Sequence, residues 1–168
     1  ETESFIILDS FRGHTPVIKN SESVVHDIGD GVLCFEFTGK SNSIGEGVGK
    51  ALLETIELAE EGNWKGLVIG NNAKQFSVGA NLMNIGMFAM QKQFDVLESF
   101  VDNFQQINMK IRTSKIPVVV ATQGYVFGGG CEIAMHCDAG IYAAESYIGL
   151  VEVGVGLLPG GGGTKEFA

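Results

Sequence analysis

Basic residues are scarce in this sequence, and they are not clustered. Eleven Lys and Arg residues stand against 20 Asp and Glu residues, which gives a formal net charge of -9. Such a balance repels a phosphate backbone unless the basic side chains are gathered on one face. Nucleic acid is therefore not expected as a partner.

Long hydrophobic runs are also missing. The apolar runs at residues 118–121 and 141–144 are brief, whereas a membrane-spanning helix needs roughly 18 or more such residues. The chain has only three cysteines, an odd number, and no charged start followed by an apolar stretch. We expect no membrane partner and a reducing, cytoplasmic location.

What the sequence does contain suits one globular core. It has 168 residues, of which 45% are hydrophobic, and its 24 glycines are spread through loops between apolar runs. The chain begins with Glu1 and stops just after a glycine cluster, so we expect a fragment of a longer protein. Residues 1–23 are predicted to be a linker from a preceding region, and residues 24–168 the truncated core.

The hydrophobic pattern predicts an α/β fold. Apolar runs at residues 24–28 and 32–38, separated by GDG, predict a β-hairpin. Amphipathic helices are predicted from residue 44 to near Gly62 and over residues 94–107, with buried strands at residues 67–69 and 116–122. A glycine loop, a short helix and a short strand at residues 141–144 follow. Alternation of buried strands and crossover helices is typical of α/β proteins.

Two glycine turns precede predicted helices, in FSVGANL and in YVFGGGCE. Glycine before a helix lets the unpaired N–H groups of the first turn meet a negatively charged ligand. The chain has no Walker phosphate loop, since PGGGGTK places Thr before Lys, and GEGVGK does not match the dinucleotide fingerprint. An oxyanion is the remaining candidate.

Two glutamates strengthen the oxyanion hypothesis. Glu132 lies in the first helical turn after GGG, where it could move a proton next to a bound oxyanion. Glu152 lies in an apolar, glycine-punctuated segment without a nearby basic residue. Two alternatives stay open at this point: Glu132 only complements the helix dipole, and Glu152 only faces solvent.

Three segments resemble, in order, the signature segments of the enoyl-CoA hydratase (crotonase) superfamily. They are FSVGANL, GYVFGGGCEIAMHCD and YIGLVEVGVGLLPGGGGT, and KSNSI adds a fourth match. The two glutamates, twenty positions apart, belong to this pattern. The chain is especially similar to the hydratase portion of bacterial bifunctional proteins that also carry a 3-hydroxyacyl-CoA dehydrogenase portion.

The resemblance implies a crotonase-like spiral of β-β-α units and reversible hydration of trans-2-enoyl-CoA to 3-hydroxyacyl-CoA in fatty acid β-oxidation. The backbone N–H groups of Ala80 and Gly129 would form the oxyanion hole. Glu132 would help to activate water, and Glu152 would exchange the proton at Cα. The remaining substrate-binding positions that it implies are Asn42, Ser43, Ile44, Val78, Gly79, Asn81, Leu82 and Gly128.

The resemblance also sets limits. Asn81 stands where many relatives have aspartate, and the family continues past GGGGT into helices that close the acyl pocket. We therefore expect a mobile glycine-rich end and weak or no activity from this fragment. No cofactor or metal is expected in this domain; NAD is expected in a separate domain, and the full-length form is expected to be a homo-oligomer. The alternatives are another CoA-thioester enzyme, such as an enoyl-CoA isomerase, or an inactive assembly fragment.

Other groupings are assigned to packing. Cys131, His136 and Cys137 do not have the spacing of a zinc site, and core packing is expected. His136 follows Glu132 by four positions, so it is either a partner of the acid or a satisfied neighbour. Among the apolar residues of the 83–104 segment, Met83 and Met87 are the expected contributors to an acyl tunnel.

Overall fold

The fold is a mixed α/β arrangement built on a six-stranded sheet, and the computed structural model describes residues 5–168. The sheet has the strand order β1-β2-β3-β4-β5-β7, and β6 and β8 form a separate pair. The strands are β1 (Ile18–Lys19), β2 (Ser23–Asp27), β3 (Val32–Phe37), β4 (Gly66–Gly70), β5 (Val118–Thr122), β6 (Tyr125–Phe127), β7 (Ala139–Tyr142) and β8 (Tyr147–Gly149).

The sheet is antiparallel at one edge and parallel elsewhere. Strands β2 and β3 form the predicted hairpin, in which Val25 lies opposite Phe35. The pairs β3–β4, β4–β5 and β5–β7 are parallel. Parallel strands need long crossover connections, and the helices between them supply these. The alternation predicted from the sequence is therefore confirmed, and β7 is the short strand predicted after the glycine loop and its helix.

Besides three short 3₁₀ helices, five α-helices accompany the strands within residues 5–168. They are α1 (Glu46–Glu61), α2 (Leu82–Met90), α3 (Phe94–Arg112), α4 (Gly129–His136) and α5 (Gly163–Glu166). Helix α1 ends before Gly62, as predicted, and packs its apolar face on the sheet. Helix α3 packs against α1 and α4, so it lies between the sheet-covering helix and the glycine-rich turn before α4.

The small β6–β8 sheet was not predicted from the sequence. Each strand has only three residues, and the two are parallel, with Val126 opposite Ile148. Such short strands carry too little alternation to show a period of two. The strand pair positions the glycine turn at Gly128, because β6 ends immediately before this residue.

The expected linker is partly built into the sheet. Strand β1 lies inside residues 1–23, and the Arg12 guanidinium contacts buried Glu36 on β3 at 3.1 Å. Glu36 also accepts a hydrogen bond from His26 at 2.8 Å. A buried carboxylate needs such partners, which is why this segment packs over the sheet instead of leading away from it. Residues 1–4 of the predicted linker lie outside the described residues.

The core lies between the sheet and α1. Phe35 and Phe37 on β3 meet edge to face, with ring centroids 5.3 Å apart, and Phe37 meets Phe76 in the same way at 5.2 Å. All three side chains are at least 98% buried. Phe76 begins the segment that reaches the first glycine turn, so the aromatic cluster fixes that segment to the sheet.

We predict that Phe35→Ala lowers the free energy of unfolding by about 3–5 kcal/mol, because it removes apolar contacts and leaves a cavity. Phe94→Ala is the matched control, since Phe94 is 62% exposed and its truncation leaves no cavity. Denaturant titration of both variants measures the difference. Equal losses in the two variants would contradict the placement of the core.

Candidate active site

The two glycine turns predicted from the sequence meet in the structure. Gly79 has φ +88° and Gly128 has φ +51°, conformations that favour glycine. A Cβ atom on Gly79 would lie 2.8 Å from the carbonyl oxygen of Phe127 and 3.1 Å from the nitrogen of Gly129. The two backbones are therefore in direct contact, and a side chain at Gly79 would separate them.

The first turn is held by backbone pairing on both sides. The Ile44 N–H donates to the Gly79 carbonyl at 2.8 Å, and the Asn81 N–H donates to the Ile44 carbonyl at 3.1 Å. On the other side, Ser77 pairs with β6 through Phe127 and Tyr125. The Ser77 hydroxyl donates to the Asn42 carbonyl at 2.6 Å. Bonding on both sides leaves the turn little freedom to shift.

Among the N–H groups that this pairing leaves free are those of Ala80 and Gly129. Within residues 5–168, neither the Ala80 N–H nor the Gly129 N–H donates a hydrogen bond to another group. Gly129 is the first residue of α4, where the N–H has no partner within the helix. Both residues line one cavity, so two unpaired donors are available to a ligand there.

This cavity has a volume of about 300 Å³, at the lower end of the range for small-molecule sites. Its wall contains both predicted acids and both glycine turns, together with apolar side chains of α3 and of the segment after β8. The residues of the wall are Val78, Gly79, Ala80, Leu82, Ile85, Leu97, Phe100, Val101, Phe104, Gly128, Gly129, Glu132, Val151, Glu152, Val155, Leu157, Leu158 and Gly160.

Glu132 is 1% exposed and is held by the glycine cluster near the end of the chain. Its Oε1 accepts hydrogen bonds from Gly161 N at 2.8 Å and from Gly163 N at 2.9 Å. The carboxyl group therefore has a fixed position at the cavity. Residues 160–163, expected to be mobile, are instead bonded to the site.

Burial is the main cause of the raised pKa of Glu132, because a carboxylate loses hydration there. The N–H groups of Gly163 and Gly161 act against this change by stabilising the carboxylate. The negative charge of Glu152 raises the pKa of Glu132 further. Glu132 is thus placed to hold a proton more readily than an exposed glutamate.

The Glu152 carboxyl group lies against the second glycine turn, at Gly128. A Cβ atom on Gly128 would lie 2.8 Å from Glu152 Oε1, so the absence of a side chain there leaves room for the carboxyl group. Glu152 Oε2 is buried and has no hydrogen-bond partner within residues 5–168. A buried carboxyl oxygen without a partner is a place where a ligand or a water molecule can bind.

Four of the predicted substrate-binding residues do not contribute to the cavity wall. Asn42 is 4% exposed and donates to the Gln75 carbonyl at 3.0 Å, so its side chain holds the loop. The Ser43 hydroxyl donates to the Lys40 carbonyl at 3.3 Å. Ile44 instead lines a neighbouring hollow between α1 and α3. Asn81 caps α2, its Oδ1 accepting the Met83 N–H at 3.2 Å.

The expected methionines are not part of the apolar wall, to which α3 contributes instead. Leu97, Phe100 and Phe104 line the cavity, whereas Met83 is 84% and Met87 46% exposed and neither borders it. The expectation for the two methionines was wrong because α2 has no buried residue and turns them outward. Helical spacing of the α3 residues was visible in the sequence, but it does not separate a cavity wall from a core.

The Cys131, His136 and Cys137 side chains have separate partners. Cys131 contacts the Met135 sulfur at 3.8 Å, and Cys137 donates to the Ile133 carbonyl at 3.4 Å. His136 Nδ1 lies 2.7 Å from the Glu132 carbonyl oxygen, so this nitrogen carries the proton. The imidazole therefore bonds to the main chain of Glu132. Within residues 5–168, no three or more His, Cys, Asp or Glu side chains lie together so that they could hold a metal ion.

The glycines at the start of α1 do not form a dinucleotide site. Glu22 Oε2 accepts the Val48 N–H at 3.0 Å, and Cβ atoms on Gly45 and Gly47 would approach the same carboxyl group to within 2.7 and 2.5 Å. A carboxylate of the chain thus occupies the position where a pyrophosphate would bind. Separately, none of the helices in residues 5–168 combines the length and apolar character needed to cross a membrane.

Known proteins resemble this chain over most of its length. The family model described as enoyl-CoA hydratase/isomerase matches residues 28–168. A Bacillus subtilis protein named "Probable 3-hydroxyacyl-CoA dehydrogenase" is 45% identical over 150 residues, which cover 89% of this chain and 19% of that protein. The "Fatty acid oxidation complex subunit alpha" of Colwellia psychrerythraea is 29% identical over 140 residues, covering 80% of this chain and 19% of that protein.

Solved structures share the mixed α/β fold of this chain. A crystal structure of an enoyl-CoA hydratase from Polaromonas sp. JS666 superposes with a TM-score of 0.82 at 23% sequence identity. The match covers 87% of this chain and 57% of the Polaromonas chain. The crotonase-like fold expected from the sequence is therefore confirmed. The chain spans about a fifth of the length of the two curated relatives described above.

We predict that Glu132→Gln changes stability in a pH-dependent way. The folded-state pKa of Glu132 is raised above its ordinary value of 4.5, so ionisation opposes folding. This penalty is absent at pH values below 4.5 and grows as the pH rises towards the folded-state pKa. At pH values above the folded-state pKa the penalty is constant. Because glutamine cannot ionise, its stability relative to wild type should increase with pH over this interval.

Urea unfolding of wild type and Glu132→Gln, at pH values below 4.5 and above the folded-state pKa of Glu132, tests this prediction. Glu145→Gln, which changes an exposed loop carboxyl group, is the control. If the stability of Glu132→Gln relative to wild type stays constant or falls as the pH rises, the raised pKa is contradicted.

Proposed function

Because the chain belongs to the enoyl-CoA hydratase/isomerase family, we propose that it forms the hydratase site of a fatty acid oxidation protein. The reaction is reversible addition of water to a trans-2-enoyl-CoA, giving a 3-hydroxyacyl-CoA. The single observation that carries this proposal is the meeting of two unpaired N–H groups and two carboxyl groups at one cavity.

The Ala80 and Gly129 N–H groups would bind the thioester oxygen. Negative charge develops on this oxygen when water adds to the double bond, and backbone donors that are already in place stabilise it. Gly129 also begins α4, whose dipole adds a positive end behind its N–H. The acyl chain would lie against the apolar wall from Leu97, Phe100 and Phe104.

The two acids would divide the proton transfers. Glu132 takes a proton from water as the hydroxyl group adds to Cβ, and the protonated form of Glu152 gives its proton to Cα. The net change is the addition of one water molecule. The proton on Glu132 then passes through the next bound water to Glu152, which returns both acids to their starting forms.

The presence of two acids favours hydration over isomerisation. Moving a double bond needs one group to shuttle a single proton, whereas adding water needs one proton removed and another delivered. Glu132 and Glu152 supply both functions from opposite sides of the Gly128 turn. An inactive assembly domain would have no need of a buried carboxyl group held by two amides.

We propose that this site works within a longer, bifunctional polypeptide. The support is the relative from Bacillus subtilis, which is named as a dehydrogenase and is about five times as long as the matched segment. NAD would bind in a separate domain of such a protein, since the start of α1 is closed by Glu22. A cytoplasmic homo-oligomer belongs to the same proposal, and the three free cysteines fit that compartment.

We predict that Gly129→Val and Glu132→Gln each remove most crotonyl-CoA hydration from the full-length protein. A side chain on Gly129 would meet Phe104 at 3.1 Å and Ile44 at 3.2 Å, so its N–H would be displaced. Loss of one such donor costs about 2.7–4 kcal/mol, or roughly 10²–10³ in kcat. Loss of a general base lowers kcat by roughly 10²–10⁴.

Loss of absorbance at the conjugated double bond measures this reaction, with Glu145→Gln as the exposed-carboxyl control. The same protein is assayed with a 3-enoyl-CoA to detect isomerisation. Near-wild-type hydration in either variant would refute the assigned functions of these residues. Conversion of the 3-enoyl substrate without hydration would replace the proposal with an isomerase.

A further inference from the structure

Helix α3 presents a row of polar side chains to the glycine segment that holds Glu132. Gln105 Nε2 donates to the Gly160 carbonyl at 2.7 Å, and Asn108 Nδ2 donates to the Gly161 carbonyl at 3.0 Å. The two residues are three positions apart and so lie on the same face of the helix. Residues 160–161 are therefore bonded to α3 through their carbonyl groups and to Glu132 through the Gly161 amide.

Asn108 differs from Gln105 in its burial. Its side chain is 0% exposed, whereas Gln105 lies on the exposed part of the helix. The Oδ1 atom of Asn108 is buried and has no hydrogen-bond partner within the part of the chain that the structure describes. A buried acceptor without a donor is unfavourable, so a partner is expected in a state of the protein other than this one.

One neighbouring group gains a donor during the proposed reaction, and this is the Glu132 carboxyl group. A Cβ atom on Gly161 would lie 2.6 Å from Asn108 Nδ2 and 2.7 Å from Glu132 Oε2. The amide of Asn108 and this carboxyl oxygen thus lie side by side over the same glycine. Glu132 Oε1 is already occupied by two amides, which leaves Oε2 as the oxygen that can take a proton.

We propose that Asn108 is a positioning residue that gives Glu132 a partner in both of its protonation states. Through Nδ2 it fixes Gly161, whose amide supports the carboxylate form. Through Oδ1 it accepts a hydrogen bond from the Oε2–H of the protonated form. This inference rests on the proposed function, in which Glu132 takes a proton from water and later releases it.

The arrangement explains why α3 buries an amide beside an acid. A buried carboxyl group that changes its charge needs an acceptor for its proton as well as donors for its negative charge. The glycine amides supply the donors, and Asn108 Oδ1 supplies the acceptor. Gly161 has no side chain, so the carboxyl group and the amide are not separated there.

The test is Asn108→Leu in the full-length protein. We expect kcat for crotonyl-CoA hydration to fall at least about tenfold, with a change in KM below about threefold, because substrate does not contact this side chain. Asn108→Asp keeps an acceptor for the Oε2–H of Glu132 but loses the Nδ2 bond that fixes Gly161, whose amide lowers the pKa of Glu132. In this variant the pH-rate limb of Glu132 should therefore move to higher pH.

Asn20→Leu is the matched control, because Asn20 Nδ2 also donates to a glycine carbonyl, that of Gly47, at 2.8 Å. It should lower stability without moving the pH-rate limb. Infrared titration of the Glu132 carboxyl band, identified by its loss in Glu132→Gln, gives a readout independent of turnover. An unchanged band titration in Asn108→Asp, or an unchanged kcat in Asn108→Leu, would overturn the inference, whereas failure of wild type to hydrate crotonyl-CoA would overturn the proposed function alone.

Discussion

The site depends on direct backbone contact between the turns at Gly79 and Gly128. Both residues adopt positive φ, and the space that a Cβ on Gly79 would fill is taken by Phe127 and Gly129. Ladder bonds to Ile44 and to β6 hold the first turn, and the bond from Gly128 N to the Gly149 carbonyl holds the second. Because the surrounding backbone is already bonded, the N–H groups of Ala80 and Gly129 remain for a ligand. The rest of the active site is arranged around this pair of donors.

Burial of Glu132 is the second constraint, and it links stability to function. A carboxyl group that is 1% exposed would be unfavourable without partners, and the amides of Gly161 and Gly163 supply them. These amides belong to a segment that α3 holds by its carbonyl groups. The position and pKa of the acid therefore depend on α3, α4 and residues 160–163 together. A change in any of these elements is expected to act on proton transfer before it acts on the fold.

The sequence predicted the main sheet, the long helices and the two acids, because each has a local signal. Strand β4 is an apolar run between glycines, and Glu132 follows three glycines at a helix start. The parallel β6–β8 pair could not be predicted, since three-residue strands show no periodicity.

The partners of Glu132 were missed for a different reason. Asn108 and Gly161 are 53 positions apart in sequence, and only packing of α3 on the glycine segment brings them together. Met83 and Met87 were wrongly expected at the cavity, because the composition of α2 does not show which of its side chains face solvent.

The central claim is that two backbone amides from separate loops bind one thioester oxygen. A crystal structure of the full-length protein with butyryl-CoA, which has no double bond to react, tests this most directly. The account predicts that the thioester oxygen lies about 2.7–3.1 Å from both Ala80 N and Gly129 N, with Glu152 facing Cα and Glu132 facing Cβ. A thioester oxygen that contacts neither amide, or only one of them, would contradict the account.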